Sequence, residues 1–280
     1  MILRAPAKFN LCLYLGDRRD DGLHELRSLF CPLLLSDRLE VSELEQGPDE
    51  VVCAGVEGPN LVGVALEAMR ARGWERPPLR VEIDKRIPVA AGLGGGSADA
   101  AAVLRLAAGE LDNLPRIAAG LGADVPSQLD PRFAHVGGAG ETVEPLQAPG
   151  EFALVLIGDD DGLSTAEVYA EADSLGIGRS AEELDRLTTR LREAAAAGAS
   201  PLDYDELLVN DLEQAAVSLR PSIAEALAAL DEVGARRVLV SGSGPTAVGL
   251  FDDLVAADAA SSALPPRYAQ AIVSAPQRLR

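Results

Sequence analysis

The chain has 280 residues, 48% hydrophobic and 25% charged, which is enough apolar mass for one large domain or two ordinary ones and excludes a disordered chain. Its formal net charge of −19 repels nucleic acid over long range, and no basic run exceeds two residues (Arg18-Arg19, Lys85-Arg86, Arg236-Arg237). No apolar run reaches the length of a membrane span, Cys12, Cys31 and Cys53 form no CxxC pair, and two histidines, His24 and His135, are too few for a structural zinc site. We expect reduced thiols in a cytoplasmic protein without nucleic-acid or membrane partners, a monomer or weak homodimer.

Residues 2–15 alternate loosely and read as a strand carrying Lys8 and Asn10 on one face. Its apolar part, Phe9 to Tyr14, runs into Asp17-Arg-Arg-Asp-Asp21 and no small-residue cleavage site, so it reads as a strand end and not a signal peptide. Asp20-Asp21-Gly22 marks a turn, and strands are predicted at 23–35 and 38–44. Apolar spacing predicts a helix over 62–72, ended by Trp74-Glu-Arg-Pro-Pro78. A strand at 79–83 leads into Pro88-Val-Ala-Ala-Gly-Leu-Gly-Gly-Gly-Ser-Ala-Asp-Ala-Ala-Ala102. Helices are expected at 97–111 and 114–121, with Ser97 capping the first, Asp99 suiting its dipole and Gly122 ending the second. Residues 133–145 read as two short strands. Gln147-Ala-Pro-Gly150 is the most linker-like stretch and sets a boundary between domains 1–149 and 150–280. Beyond it we expect strands at 152–157, 238–240, 248–251 and 268–274, and helices at 165–175, 181–196, 211–217, 221–233 and 255–263. Ser241-Gly-Ser-Gly-Pro-Thr246 is a second glycine turn. Strands and helices mix without a strict βαβ repeat, which favours α+β.

The glycine stretch carries the chemistry. Glycines strip side chains from a turn and leave N–H groups bare at a helix start, where the dipole adds positive potential. Such a cradle takes a phosphate, and three consecutive glycines are costly in entropy without a ligand. The chain also has 23 arginines against two lysines, Lys8 and Lys85. A lysine offers a compact point charge with three donors, which a planar guanidinium cannot copy. Several phosphate motifs are excluded by inspection. No Gly-Lys pair exists for a Walker A loop, Ser97 stands where a dinucleotide fingerprint needs glycine, and neither His-Arg-Asp nor Asp-Phe-Gly is present.

What remains resembles the loop of the GHMP superfamily of small-molecule kinases, Pro-x-x-x-Gly-Leu-Gly followed by small residues. Pro6-Ala-Lys-Phe-Asn-Leu11, Asp21-Gly-Leu-His24, Ser28-Leu-Phe30, Gly122-Ala-Asp-Val-Pro126 and Ser241 to Thr246 extend the likeness over nearly the whole chain. In that order and spacing they are similar to the branch whose acceptor is a cytidine diphosphate derivative. The resemblance implies an α+β, two-domain fold, N-terminally like the second domain of ribosomal protein S5 and C-terminally ferredoxin-like, with the active site between the domains. It also implies that ATP, accompanied by Mg²⁺, donates its γ-phosphoryl group to a tertiary hydroxyl of the acceptor's methylerythritol moiety.

The resemblance assigns roles. Asp124 would be the general base for the attacking hydroxyl, and Lys8 would keep it ionised and offset developing charge. The loop residues Pro88, Val89, Ala90, Ala91, Gly92, Leu93, Gly94, Gly95, Gly96, Ser97 and Ala98 would hold the triphosphate, with Asn60 and Lys85 lining the nucleotide side on the resemblance alone. Ser241 to Thr246 would close the phosphate end. Asn10 would orient the substrate or the Asp, His24 would read the cytosine edge, Tyr169 would stack on the base, and Thr165 would contact the diphosphate side. Leu23 departs from the tyrosine common before this histidine, which removes one stacking partner, and Ala98 replaces a frequent second serine. Two other readings stay open. A kinase for mevalonate, homoserine or a sugar would lack the Asp-Gly-x-His turn and Gly-Ala-Asp-Val-Pro together. A non-catalytic nucleotide- or RNA-binding module fits poorly with the −19 charge and with the Lys8 and Asp124 pair.

Overall fold

A computed structural model describes residues 1–56, 58, 60–159 and 162–277. The chain forms two compact units. The first comprises residues 1–7, 35–89 and 94–131, and the second comprises residues 8–34, 90–93 and those from 132 onward. Two long strands, β1 (Ile2–Arg18) and β2 (His24–Glu43), contribute residues to both.

In the first unit the C-terminal part of β2 pairs antiparallel with β4 (Leu79–Asp84), in register from Arg38↔Asp84 to Glu43↔Leu79. The short β3 (Glu50–Cys53) adds to β4 in parallel, Val51 beside Val81. Helix α1 (Leu61–Arg70) buries Val62, Ala65, Leu66 and Met69. That is the i, i+3, i+4, i+7 stripe of an amphipathic helix, and full burial of a Leu or Met contributes about 2 kcal/mol. Helix α2 (Gly95–Leu104) shows no stripe, because Ala98 to Leu104 are all buried. Its alanines let neighbouring elements close in on every side. The helices α3 (Leu114–Leu121) and α4 (Val125–Gln128) complete this core through Ile117, Ala118 and Val125, together with Leu39, Val41, Val81 and Ile83 of the strands.

In the second unit residues 26–30 of β2 pair with β5 (Ala134–Gly138), which pairs with β6 (Thr142–Pro145). A separate antiparallel sheet contains β7 (Ala153–Ile157), β8 (Arg237–Val240), β9 (Ala247–Phe251) and β10 (Ile272–Ser274), in the order β10-β7-β9-β8. Taken in chain sequence these are fourth, first, third and second, the ferredoxin-like order expected of the C-terminal part. Every residue of β7 and β9 is buried, so the strands read as unbroken apolar runs. Helices α8 (Ser222–Glu232) and α9 (Leu254–Ala263) pack on this sheet through Ala226, Ala229, Leu230, Ala257 and Ala260. Helices α5 (Thr165–Ser174) and α7 (Glu213–Leu219) form a further cluster with Leu13, Leu15 and Val240, and α6 (Ala181–Ala195) opens with a Ser180–Glu183 capping box.

The α+β expectation holds, with local differences: α4 forms a short helix at 125–128, and the last strand is confined to Ile272–Ser274 because a 3-10 turn occupies Pro266–Tyr268. β2 is one strand where two were expected, because Asp37 lies within it as a fully buried residue. β3 lies where no element was expected. α2 begins at Gly95 and ends at Leu104, not 97–111, since Gly94 occupies the N-cap with φ 67° and Ser97 lies inside the first turn. Among the described residues no helix is long and apolar enough to cross a membrane.

Candidate active site

The glycine loop has an alternating backbone. Ala90, Gly92 and Gly94 take φ of 54°, 73° and 67°, while Ala91 and Leu93 between them do not enter positive φ. Such alternation turns successive N–H groups to one side and makes a nest for an anion. Gly94 then caps α2 without a side-chain hydrogen bond, so no capping side chain covers the first-turn N–H groups of the helix. Val89, Ala90 and Gly96 are exposed, whereas Ala91, Leu93 and Ala98 anchor the loop inward and are buried.

In the second unit the loop is clamped to the other glycine turn. A Cβ on Gly92 would stand 2.3 Å from the Ser241 carbonyl oxygen and 2.9 Å from that of Gly244. Ser241 Oγ donates to the Gly92 carbonyl at 3.1 Å. That turn is held in its own right, since Asn210 Nδ2 donates to the carbonyls of Val240 at 2.8 Å and Gly242 at 2.7 Å. Lys8 joins the same construction. Its backbone N–H donates to the Leu93 carbonyl at 3.0 Å. Its ammonium donates to Asn10 Oδ1 at 2.6 Å and lies 4.8 Å above the Phe30 ring. Asn10 Nδ2 donates to Ser28 Oγ at 2.9 Å, and Ser28 Oγ donates to the Cys12 carbonyl at 2.5 Å. Lys8, Asn10 and Ser28 are all buried, so the chain of hydrogen bonds fixes where the ammonium points.

The same unit holds the residues assigned to the base. His24 is buried, its Nε2 sits 2.7 Å from Asp173 Oδ1, and its ring centroid lies 5.2 Å from that of Tyr169. Leu23 is 54% exposed beside them. Thr165, the first residue of α5, has its hydroxyl 2.9 Å from that of Ser243 in the second glycine turn.

In the first unit Asp124 occupies the N-cap of α4, with αR backbone and no capping hydrogen bond from its side chain. Asn60 caps α1 by accepting from the Val62 N–H at 2.9 Å. Lys85 donates to Asp37 and, at 2.9 Å, to Asp99 Oδ2. Burial pulls its pKa down, but Asp99 and Asp37 outweigh this and the net shift is upward. Sequence reasoning missed Asp37, Asp173 and Asn210. Their partners lie far along the chain, and no local pattern marks them.

A nest of N–H groups, a buried aimed ammonium and a paired imidazole and phenol suit transfer of a phosphoryl group to a small nucleotide-bearing acceptor. Family comparison agrees. The description GHMP kinases N terminal domain matches residues 60–128, and GHMP kinases C terminal matches residues 182–270. The chain belongs to the GHMP kinases, phosphotransferases of small molecules. Within them it falls in the family of 4-diphosphocytidyl-2-C-methyl-D-erythritol kinases. A protein of that name from Rhodococcus jostii is 39% identical over 282 residues, covering 94% of this chain and 88% of the relative. The crystal structure of a 4-(cytidine 5'-diphospho)-2C-methyl-D-erythritol kinase superposes with a TM-score of 0.80 at 34% identity, covering 99% of this chain and 100% of that one. The homoserine kinase of Cytophaga hutchinsonii, with a TM-score of 0.70 at 15% identity over 99% of this chain and 94% of its own, shares the fold alone.

Proposed function

We propose that the chain transfers the γ-phosphoryl group of ATP to the 2-hydroxyl of 4-diphosphocytidyl-2-C-methyl-D-erythritol, in the non-mevalonate route to isoprenoid precursors. The observation that carries this reading is the attachment of Lys8 to the glycine nest. Its backbone bonds Leu93 while its side chain is oriented by Asn10 and Ser28. Phosphoryl transfer needs positioning and charge stabilisation more than covalent chemistry, and this arrangement provides both.

The nest from Pro88 to Ala98 receives the triphosphate through backbone N–H groups, with Ser97 adding a hydroxyl and Asn60 and Lys85 shaping the surrounding walls. Mg²⁺, when bound with ATP, would supply countercharge to the phosphates. Asp124 accepts the proton of the attacking hydroxyl, and Lys8 stabilises the charge that gathers on the transferring oxygens. Asn10 keeps Lys8 aimed. His24 reads the cytosine edge, Tyr169 stacks on the ring, and Thr165 contacts the diphosphate. The boundary at 149/150 falls between the two matched segments, which supports a division into a loop-bearing N-terminal domain and a C-terminal domain. The −19 charge and the buried or half-buried thiols of Cys12, Cys31 and Cys53 support a cytoplasmic enzyme that acts on small molecules and not on nucleic acid.

The test is ADP release with ATP and three acceptors supplied separately: the cytidyl substrate, homoserine and mevalonate. Turnover is expected with the first alone. Comparable turnover with either of the others, or none with the first, removes this reading.

A further inference from the structure

We infer that Asp37, Lys85 and Asp99 form a buried ionic brace that fixes both ends of the glycine loop, which makes all three positioning residues for ATP. The inference rests on the assignment of that loop to the triphosphate.

The register of the sheet creates the brace. Arg38 faces Asp84 across the β2–β4 ladder, so Asp37 and Lys85 fall opposite one another one step further on. Asp37 is 0% exposed and its carboxylate is fully used. One oxygen takes the Lys85 ammonium, and the other accepts the backbone N–H of Arg86 at 2.6 Å and of Ile87 at 2.8 Å. It therefore anchors the chain up to the residue before Pro88. Lys85 reaches on to Asp99, in the second turn of α2, and so anchors the chain just after the loop. Between them lies Gly95. A Cβ there would stand 3.1 Å from Lys85 Nζ and 3.1 Å from Ile87 Cγ2. The first residue of α2 thus rests directly on the brace, and a side chain there would have to push the Lys85 ammonium or Ile87 aside.

The arrangement is expensive. Two carboxylates share one ammonium in a site where Asp99 is 3% exposed, and Asp99 Oδ1 is buried without a hydrogen-bond partner among the described residues. The half-buried Cys53 thiol of β3 also feels these charges and brings no countercharge. Well-packed apolar residues often match or exceed such a cluster in stability. What apolar residues cannot do is bind two backbone N–H groups and two separate segments at defined angles. The loop itself carries three residues in left-handed conformation, one of them an alanine, and that geometry must be held from its ends.

The alternative is that Lys85 touches ATP as a point charge, and a double-mutant cycle separates the two. Asp37→Asn, Lys85→Met and the double variant are titrated calorimetrically with ATP, and KM for the acceptor is measured in parallel. If the brace acts as a unit, each single change weakens ATP binding about tenfold, the acceptor KM stays within about twofold, and the double variant is no worse than the poorer single one. Losses that multiply in the double variant mean that Lys85 meets ATP on its own, and they overturn the inference. Unchanged ATP affinity in folded single variants overturns it as well. Should Lys85→Met fail to fold, Asp99→Asn carries the test, since it keeps size and removes charge. A several-fold weaker ATP affinity and an altered pH dependence of that affinity between pH 5.5 and 8 are expected; neither changing defeats the brace. Wild-type protein that binds ATP yet phosphorylates no acceptor would remove the proposed function and leave the brace standing. Normal turnover of the cytidyl substrate with brace variants of unaltered ATP affinity would do the reverse.

Discussion

Lys8 and Lys85 are the two lysines of the chain, and they are held by opposite kinds of chemistry. Lys8 is oriented by a relay of neutral groups: Asn10 Oδ1 accepts from it, Asn10 Nδ2 donates to Ser28, and Ser28 donates to the Cys12 carbonyl, with the Phe30 face beneath the ammonium. Lys85 lies between the carboxylates of Asp37 and Asp99. A relay of hydrogen bonds aims a cation. A pair of buried carboxylates immobilises it and ties together the segments that supply them. The same residue type is therefore assigned to chemistry in one unit and to architecture in the other, and the distinction can be broken by experiment.

The largest expected effect is on turnover. Lys8→Ala or Asp124→Ala should each lower kcat by about a thousandfold or more, because each removes a group acting on the charge or proton of the transition state. Both variants should retain a cooperative melting transition. Near-normal rates in either would refute its role. Lys85→Met should instead act on stability. It leaves two carboxylates buried without their cation, and breaking a buried pair in this way costs about 3–5 kcal/mol. Urea unfolding of wild type and variant measures it directly. A loss under about 1 kcal/mol would mean that the brace does not bear on the fold. If Lys8→Ala were the more destabilising of the two and Lys85→Met the slower, the division between the lysines would be inverted.

Acid and base sharpen the comparison, because each unit buries a group whose titration is moved within the range between pH 4 and 7. Burial pushes the Asp99 carboxyl up to about 7, against the opposing pull of Lys85. Between the ordinary value of 3.8 and that point the folded protein keeps a proton that the unfolded chain has released, so stability falls as pH rises through this window. His135, 3% exposed and with neither ring nitrogen hydrogen-bonded among the described residues, is pushed down from 6.5 to about 4 by burial and by Arg192. There the unfolded chain takes a proton that the folded protein refuses, and stability falls as pH drops from 6.5 toward 4. Melting temperatures across pH 4–7 should separate the two. Asp99→Asn gains on wild type as pH rises, and His135→Phe gains as pH falls, by up to about 3 kcal/mol at the acid end. Parallel curves for either variant would show that its group does not titrate in the folded state as described.

Much of this was legible in the sequence where the signal is local. The unbroken apolar run Ala153–Ile157 has the length and β-branched content of a buried strand, the helical stripe of α1 was visible as spacing, and Lys8 and Asn10 share a face because they lie two residues apart. The glycines of the loop announced a cradle. What could not be read is what depends on residues remote in the chain. Ser36-Asp37-Arg38 looks like a turn, yet Asp37 stays inside β2 because Lys85, 48 residues away, neutralises it. Asp173 is 149 residues from the histidine it holds. Ser97 has the chemistry of an N-cap but loses the position to Gly94, whose left-handed backbone lets the loop enter the helix directly. β3 has four residues, and none of them is fully buried, so it carries almost no pattern.

The smallest expected effect concerns the open part of the cradle. Gly92 is fixed by its neighbours: its φ of 73° and the Ser241 carbonyl 2.3 Å from a would-be Cβ leave no choice of residue. Gly96 is different. It is helical, exposed, and a Cβ there would meet nothing within 4 Å. By folding alone alanine should be better at this position, because glycine in a helix costs about 0.5–1 kcal/mol relative to alanine. Its presence is accounted for if something outside the protein must approach the backbone there. Gly96→Ala should therefore raise stability by about 0.5–1 kcal/mol while weakening ATP binding several-fold, since the added methyl stands over the first-turn N–H groups of α2. Stabilisation with unchanged ATP affinity would mean that the triphosphate does not lie over Gly96, and would confine the anion site to the nest between Ala90 and Gly94.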